Sequence, residues 1–250
     1  MNTGQTKGLV KIGGRLALLG MIAALASALA MAASGFGYRL DLWHFRTGFT
    51  IIRWSFWIGA GAVAVSLLGL ILSKGKPPRV LAVALMGIAV GVATVYIPWS
   101  WKRALDAHPY IHDITTDILN PPAFVAVKAL RKEGDNPAEY DGPEVAAQQR
   151  EAYPEIVTQI VAADKNKAVE DALRSMNMEI VAADAAAGRI EATHTSLFYG
   201  FKDDIVVRVE AEGSGARVDV RSKSRVGRSD VGQNAKRIRT FIRKFRANLA

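Results

Sequence analysis

Three long stretches without an acidic or basic side chain dominate the first hundred residues of the chain. They span residues 16–33, 54–72 and 80–101. Each is close to the ~20 residues that an α-helix needs to cross the apolar core of a bilayer. Because lipid offers no partner to backbone amides and carbonyls, such stretches cross as helices. The pattern predicts a transmembrane region over residues 1–103.

Small residues recur at four-residue spacing in the first and third of these segments. Small side chains let helix backbones approach closely. Close packing of the three helices is expected, either within one chain or between copies in a homo-oligomer. The positions concerned are Gly20, Ala24, Ala28 and Ala32 in the first segment, and the GxxxG motif of Gly87 and Gly91 in the third.

The first apolar segment has two interpretations. It follows Lys7, Lys11 and Arg15, so it is either a retained membrane helix or a signal peptide cleaved in SALAMAA. Both place the amino terminus in the cytoplasm. The flanking Lys and Arg side chains, including Lys74 and Lys76, favour this orientation by six to five. Three crossings then place the carboxyl-terminal domain outside the cytoplasm.

After Trp101 the apolar runs give way to alternation and turns, which predicts a soluble domain over residues 104–250. Residues 120–155 are rich in Pro, Gly and Asn, and they predict a long arm with one short helix near residues 144–152. Alternating apolar positions predict strands, the last four joined by turns short enough for hairpins. The strand ranges are 156–161, 178–183, 189–196, 204–211 and 216–224.

Two further helices are predicted in this domain. Asp164 is the candidate N-cap of a helix over residues 165–176. Asp230 and Gln233 have the spacing of a capping box for the last helix. Together the elements predict an α+β fold, an antiparallel sheet covered by helices that include a long amphipathic C-terminal one. The apolar stripe of that helix is Val231, Ala235, Ile238, Ile242, Phe245 and Leu249.

Charge is distributed in three blocks. The net charge is +10 over residues 1–103, −10 over residues 104–220 and +9 over residues 221–250. The last two blocks belong to one domain and nearly cancel, so the domain lacks the overall basic field of a nucleic-acid-binding protein. The chain has no cysteine, which excludes thiol catalysis and thiolate metal sites.

The sequence RSKSRVGRSDVGQNAKRIR, residues 221–239, is rich in basic side chains and contains a single acidic one. Because side chains alternate along a strand, its first basic residues share one face of the last strand. That face is expected to be exposed, either solvated or open to an anionic lipid or an envelope polymer. The candidate anion-binding residues are Arg208, Arg221, Lys223 and Arg225.

A second basic stripe runs beside the apolar stripe of the last helix. It is expected to form the exposed face of a packed helix, with contact to an anionic membrane as the alternative. A phosphate site at the start of this helix is disfavoured, since the Asp230 carboxylate competes for the same amides. No aromatic residue interrupts residues 221–239, so a stacking platform for nucleic acid is missing there. The stripe comprises Lys236, Arg239, Arg243 and Arg246.

Catalytic candidates are few. Asp203 and Asp204 leave a hairpin turn and, with His194, are candidates for the carboxylate and histidine site of a hydrolase. His194 alternates with apolar residues, which instead favours a core histidine. His108 and His112 are the metal-ligand candidates, but the proline between them disfavours a helix with both on one face. The sequence has no Walker loop, nucleophile elbow, dinucleotide fingerprint or HExxH motif, and no cofactor is expected.

Five segments together resemble the bacterial family known as domain of unknown function 1499. They are HDITTD, NPPAF, AYPEI, GFKDDIVVRV and VDVRSKSRVGRSDVGQNAKRIR, within residues 108–248. Some members of this family carry N-terminal membrane segments. The resemblance implies domain limits, and it implies neither an activity nor a catalytic residue.

These features predict a protein of the bacterial cytoplasmic membrane whose α+β domain lies on the outer side as a binding or envelope-organising module. A hydrolase with a carboxylate and histidine site is the first alternative. A cytoplasmic partner of nucleic acid or of a regulatory protein is the second, and it requires the opposite topology.

Overall fold

The computed structural model describes residues 3–73, 78–162 and 166–249. Lys74, Lys76 and the predicted cap Asp164 lie outside these ranges. The chain divides into two units. The helical unit comprises the residues up to Arg103 together with residues 198–200, and the second unit comprises the remaining residues. The helices are α1 Thr3–Arg39, α2 Phe45–Leu72, α3 Pro78–Asp106, α4 Pro143–Ala152, α5 Asn166–Arg174 and α6 Gln233–Ala247.

The first three helices are each long and apolar enough to cross a membrane. Their most apolar parts have a mean hydropathy of 2.1 to 2.4, and α1 runs for 37 residues. At ~1.5 Å rise per residue, all three exceed the ~30 Å of a bilayer core. They include the three predicted segments and indicate a membrane protein.

Small residues line the contact between α1 and α2. Up to Ser34 of α1, and along the whole of α2, the buried positions alternate between spacings of three and four, which is the period of left-handed helix packing. The predicted four-residue series therefore leaves the contact, since Ala28 is half-buried and Ala32 is exposed. The buried series are Gly13, Ala17, Gly20, Ala24, Ser27, Met31 and Ser34 on α1, and Gly48, Ile52, Ser55, Gly59, Ala62, Ser66 and Gly69 on α2.

The GxxxG motif of α3 packs against both other helices. A Cβ atom on Gly87 would collide with the Ser66 hydroxyl and lie 3.0 Å from the backbone nitrogen of Met21. A Cβ atom on Gly91 would lie 2.9 Å from the carbonyl oxygen of Gly59. The three helices therefore pack together within one chain, as one of the two predicted arrangements requires.

The second unit contains an antiparallel sheet of order β1-β6-β5-β4-β3, and β2 pairs with β6 at the same edge as β1. The predicted meander of the last four strands is confirmed, and so is the α+β class. The three-residue β1 was not predicted, because so short a segment has no detectable alternation. The strands are β1 Asp113–Thr115, β2 Gln159–Val161, β3 Glu179–Asp184, β4 Arg189–Thr195, β5 Lys202–Glu212 and β6 Gly215–Ser224.

Helices α5 and α6 cover one face of this sheet. Alternate residues of β4, β5 and β6 point toward them, because successive side chains of a strand face opposite sides. Phe241 is also fully buried, although it lies outside the predicted apolar stripe of α6. The core of this face includes Ile190, Ala192, Ile205, Val207, Val218, Val220, Val169, Leu173, Ile238, Phe241 and Phe245.

The start of α6 differs from the predicted capping box. Helix α6 begins at Gln233, after Gly232 in the left-handed conformation with φ of 74°. Gln233 is therefore the first helical residue and not the third, and Val231 precedes the helix. The Asp230 carboxylate still accepts hydrogen bonds from the amides of Gly232 and Asn234, at 2.9 and 2.7 Å. Burial raises the pKa of Asp230, although these two bonds oppose the shift.

The opposite face of the sheet is covered by residues 116–141, which begin before the predicted arm of residues 120–155 and end before its helix; the name arm is used for residues 116–141 from here on. The arm contains a short 3₁₀ helix, Ala126–Leu130, and the predicted helix near residues 144–152 follows it as α4. Phe124, Val127 and Ala138 of the arm form a second small core with Val206 of β5. The central part of the sheet is thus covered on both faces.

We expect Gly69→Ala to destabilise the helical unit. The added methyl group would collide with the backbone nitrogen of Ala17 and lie 2.9 Å from its Cα atom, so the helices must separate. Overpacking of this kind costs about 1–3 kcal/mol. The measurement is the thermal unfolding midpoint of the full chain in detergent.

Gly61→Ala in the same helix is the matched control, because no atom lies within 4 Å of its added Cβ. Equal midpoints for the two variants would contradict the close contact between α1 and α2.

Candidate functional site

The face of β6 that was predicted to be exposed is buried. The exposed fraction is 2 % for Arg221, 0 % for Lys223 and 5 % for Arg225, and Asp219 on the same face is also at 0 %. The prediction of a solvated face is wrong because the arm covers it. Strand alternation shows which side chains share a face, and it does not show what packs on that face.

Arg221 is held by the arm and by β1. Its Nε and Nη2 atoms donate to the two carboxylate oxygens of Asp113, at 2.8 and 2.7 Å. The guanidinium also donates to the carbonyl oxygens of Ala138 and Glu139 and lies 4.8 Å from the ring centre of Phe124. This bidentate geometry is the strong form of an Arg–carboxylate pair.

Lys223 lies in the same polar layer. Its Nζ atom donates to Asp141 at 2.5 Å and to the carbonyl oxygen of Glu139 at 2.6 Å, and it lies 3.3 Å from Asp113. All three donors of the ammonium group therefore face an acceptor. The amine is engaged in internal bonds and does not point to solvent.

Asp204 joins the arm to two strands. This fully buried carboxylate accepts hydrogen bonds from Arg225 at 2.8 Å, from Thr193 at 2.8 Å and from Arg131 of the arm at 2.9 Å. The guanidinium groups of Arg131 and Arg225 thus both bind Asp204, which links the arm to the sheet.

Asp219 is the centre of a further group of ion pairs in this polar layer. Arg208 donates to Asp219 at 3.0 Å and to Asp117 at 3.2 Å, while Arg217 donates to each of the two carboxylates at 2.7 Å. Burial alone would raise the pKa of Asp219. Its bonds to Arg217, Thr158, Arg208 and Thr116 outweigh burial and lower the pKa below the ordinary value.

The four predicted anion-binding residues, Arg208, Arg221, Lys223 and Arg225, are therefore each bound to a carboxylate of the same chain. An external anion would have to displace these carboxylates, and in part the arm itself. Breaking a buried ion pair leaves an uncompensated charge, which is strongly unfavourable. This polar layer holds the arm in position.

A second polar network lies on the helical side of the sheet, where α6 begins. Asn234 donates to the His112 carbonyl oxygen at 2.9 Å and to the Ser224 hydroxyl at 3.0 Å. Ser222 donates to Asn234 at 2.7 Å, and Arg237 donates to both. The inward-facing Ser222 and Ser224 were visible as alternate positions in the sequence. Their partners on α6 were not predicted, since only the tertiary structure brings them together.

The three hydrolase candidates do not form one group. His194 and Asp203 are cross-strand neighbours, whereas Asp204 lies on the opposite face of β5. Arg237 donates to Asp203 at 2.6 Å and lies 3.4 Å from His194 Nδ1. Burial and then the Arg237 guanidinium lower the pKa of His194, so the ring is neutral near pH 7. The arrangement fits a structural network better than a nucleophile and base pair.

The histidines considered as metal ligands have separate partners. His108 Nδ1 lies 2.8 Å from the carbonyl oxygen of Ala104, and its ring packs against Gly232. His112 Nε2 lies 3.3 Å from Asp141 Oδ2. Within the described ranges, no group of three or more His, Asp or Glu side chains could hold a metal ion.

The basic stripe of α6 is exposed, as predicted. Arg239 forms an ion pair with Glu155, with Nε at 2.7 Å from Oε1. Arg246 donates to the neutral side chain of Gln159 at 2.6 and 3.0 Å. The other members of the stripe, Lys236 and Arg243, have no carboxylate partner in the part of the chain that the structure describes. This face of α6 retains an excess of positive charge.

A shallow cleft of about 250 Å³ lies between the arm, α4 and the segment that leads to β2. Its lining is mainly apolar. No signal in the sequence predicted it, since its walls come from three separate segments. The lining residues are Thr116, Ile118, Gln149, Arg150, Tyr153, Pro154, Ile156 and Val157.

A family model described as a protein of unknown function, DUF1499, matches residues 113–245, which is more than half of the chain. The match covers β1, the arm, all later strands and most of α6, and it confirms the resemblance seen in the sequence. No curated protein matches the chain.

We expect Asp204→Asn to loosen the arm. The substitution leaves two buried guanidinium groups without their shared carboxylate, a change that costs about 3–5 kcal/mol. The Asn136 amide, which donates to the Arg225 carbonyl oxygen at 2.6 Å, should exchange its hydrogen faster. Hydrogen exchange of the full chain measures this directly.

Glu155→Gln is the control for that experiment, since it removes an exposed ion pair worth less than about 1 kcal/mol. An Asn136 amide equally protected in both variants would show that the buried pairs do not hold the arm.

The lowered pKa of Asp219 predicts a contribution to acid sensitivity. The folded-state pKa lies below the unfolded value of about 3.9, so the carboxylate stabilises the fold above that pH. Its contribution is lost as the pH falls through the folded-state pKa. Asp219→Asn should unfold at a lower temperature at pH 7 and lose less stability between pH 5 and pH 3 than the wild type. Parallel curves of unfolding temperature against pH would contradict this assignment.

Proposed function

The chain belongs to the DUF1499 family, and we propose that it is a noncatalytic binding module anchored in the bacterial cytoplasmic membrane, with its α+β domain outside the cytoplasm. In this proposal the domain holds or organises components of the cell envelope. The observation that carries the proposal is which ionisable side chains are paired inside the fold and which remain exposed. Those suited to chemistry are tied into internal pairs, while the exposed basic face of α6 remains available.

The internal pairs argue against a reaction centre. Catalytic side chains need access to a substrate and freedom to transfer a proton. Asp203 and His194 share one guanidinium group, and Asp204 is enclosed on the other face of the sheet. The hydroxyl of Ser222 is buried and donates to Asn234. A module that binds through its surface uses none of these groups.

The membrane anchor is supported by α1, α2 and α3, whose length and apolar composition suit three crossings. The basic amino-terminal segment favours a cytoplasmic start. An odd number of crossings then carries the α+β domain to the outer side. This location would make contact with nucleic acid irrelevant and contact with envelope components direct.

Alkaline phosphatase fusions test the topology. The enzyme is active only outside the cytoplasm, so fusions after Asp41 and at the carboxyl terminus should be active, and a fusion after Lys76 should be inactive. The fusion after Lys76 is the internal control, because it contains the same first two helices as the fusion at the carboxyl terminus. The reverse pattern would replace this proposal with the cytoplasmic alternative.

A further inference from the structure

We propose that the exposed basic side of α6 and the apolar cleft beside it form one surface that binds the anionic phospholipids of the bilayer in which the chain is anchored. The inference rests on the membrane anchoring in the proposed function, and it names the partner of the domain's surface. We define this lipid-binding surface by Lys236, Arg243, Lys244, Arg246 and the cleft residue Val157.

All charged side chains of α6 are basic. Its 15 residues include six Lys and Arg side chains and no acidic one. Arg237 is paired with Asp203, and Arg239 with Glu155. The other four basic residues have no carboxylate partner in the described ranges. On the covered face of the sheet, by contrast, each buried or half-buried cation of β5 and β6 is paired with a carboxylate; these are Arg208, Arg217, Arg221 and Lys223. The four that remain on α6 are Lys236, Arg243, Lys244 and Arg246.

The cleft lies next to this charge. Glu155, which binds Arg239, and Gln159, which binds Arg246, belong to the segment that forms one wall of the cleft. Val157 stands between them in the chain and is 52 % exposed. Ile118, which also lines the cleft, precedes Leu119, which is 90 % exposed. The apolar side chains of the cleft therefore adjoin the side of α6 that carries Arg239 and Arg246. Arg243 lies between them on the same stripe, one helical turn from each.

This combination favours a lipid surface over a purely polar polyanion. Basic side chains bind headgroup phosphates, while neighbouring apolar side chains enter the boundary between headgroups and acyl chains. A soluble polyanion would use the cations and leave the apolar residues in water. Six residues, 107–112, connect α3 to β1, so the domain stays within reach of the bilayer. Each cation near an anionic membrane favours association about fivefold.

The test uses the full chain in lipid nanodiscs and exploits the absence of cysteine. A nitroxide label is attached at Thr240→Cys, which lies on α6 between Arg239 and Arg243 in the basic stripe. In discs with anionic phosphatidylglycerol, the label should be at least fivefold less accessible to a water-soluble paramagnetic quencher than in neutral phosphatidylcholine discs. A label at Lys132→Cys, on the arm over the opposite sheet face, should show no difference.

Two charge variants make the test specific. Replacing Lys236, Arg243, Lys244 and Arg246 by Gln should abolish the protection of the label at position 240. Replacing Lys132, Lys167, Lys202 and Arg228 by Gln removes the same charge from exposed sites elsewhere and should preserve it. Val157→Ser should weaken the protection without a change in net charge. Thermal unfolding of each variant checks that it is folded.

A label at position 240 that is equally accessible in anionic and neutral discs would overturn the inference. So would protection that appears in neutral discs only after soluble polyphosphate is added, since the partner would then be a polyanion. Neither result affects the topology measured by the fusions. A cytoplasmic carboxyl terminus would overturn the proposed function and still leave lipid binding to be measured in the discs.

Discussion

Buried charge on β5 and β6 is the constraint on which the α+β domain depends. Arg221, Lys223 and Arg225 lie almost wholly out of water, and so do their main partners Asp113 and Asp204. An unpaired charge in such a place is prohibitively costly, so the strands need a cover that supplies carboxylates and carbonyl oxygens. Strands β1 and β5 themselves supply Asp113 and Asp204. The arm completes the layer with the carboxylate of Asp141 and with the carbonyl oxygens of Leu130, Ala138 and Glu139.

The same constraint separates cations that are paired inside the fold from cations that are not. Where a basic side chain meets a carboxylate, as Arg237 meets Asp203, its charge is used inside the fold. Where it does not, as for Lys236 and Arg243, the charge remains available to a partner. The family model matches the segments that form both groups. The basic sequence of residues 221–239 suggested an anion-binding surface. In large part, its side chains instead hold the arm on the sheet.

The helical unit follows a different rule, because lipid leaves no hydrophobic driving force between helices. Close contact of small residues replaces it, and the buried positions of α1 and α2 keep a period of three and four. A series at strict four-residue spacing drifts around the helix and leaves the contact, which is why Ala32 is exposed although Gly20 is buried.

The sequence alone determined the features that come from local pattern: the three apolar helices, the meander of four strands, the amphipathic α6 and the resemblance to the family. Periodicity carries these because each depends on neighbours within one segment. Only the tertiary structure decided that the arm covers Arg221 and Lys223, that Asp203 and Asp204 face different partners, and that the cleft adjoins the basic side of α6. Each of these depends on contacts between residues far apart in the chain, and alternation along a strand carries no information about them.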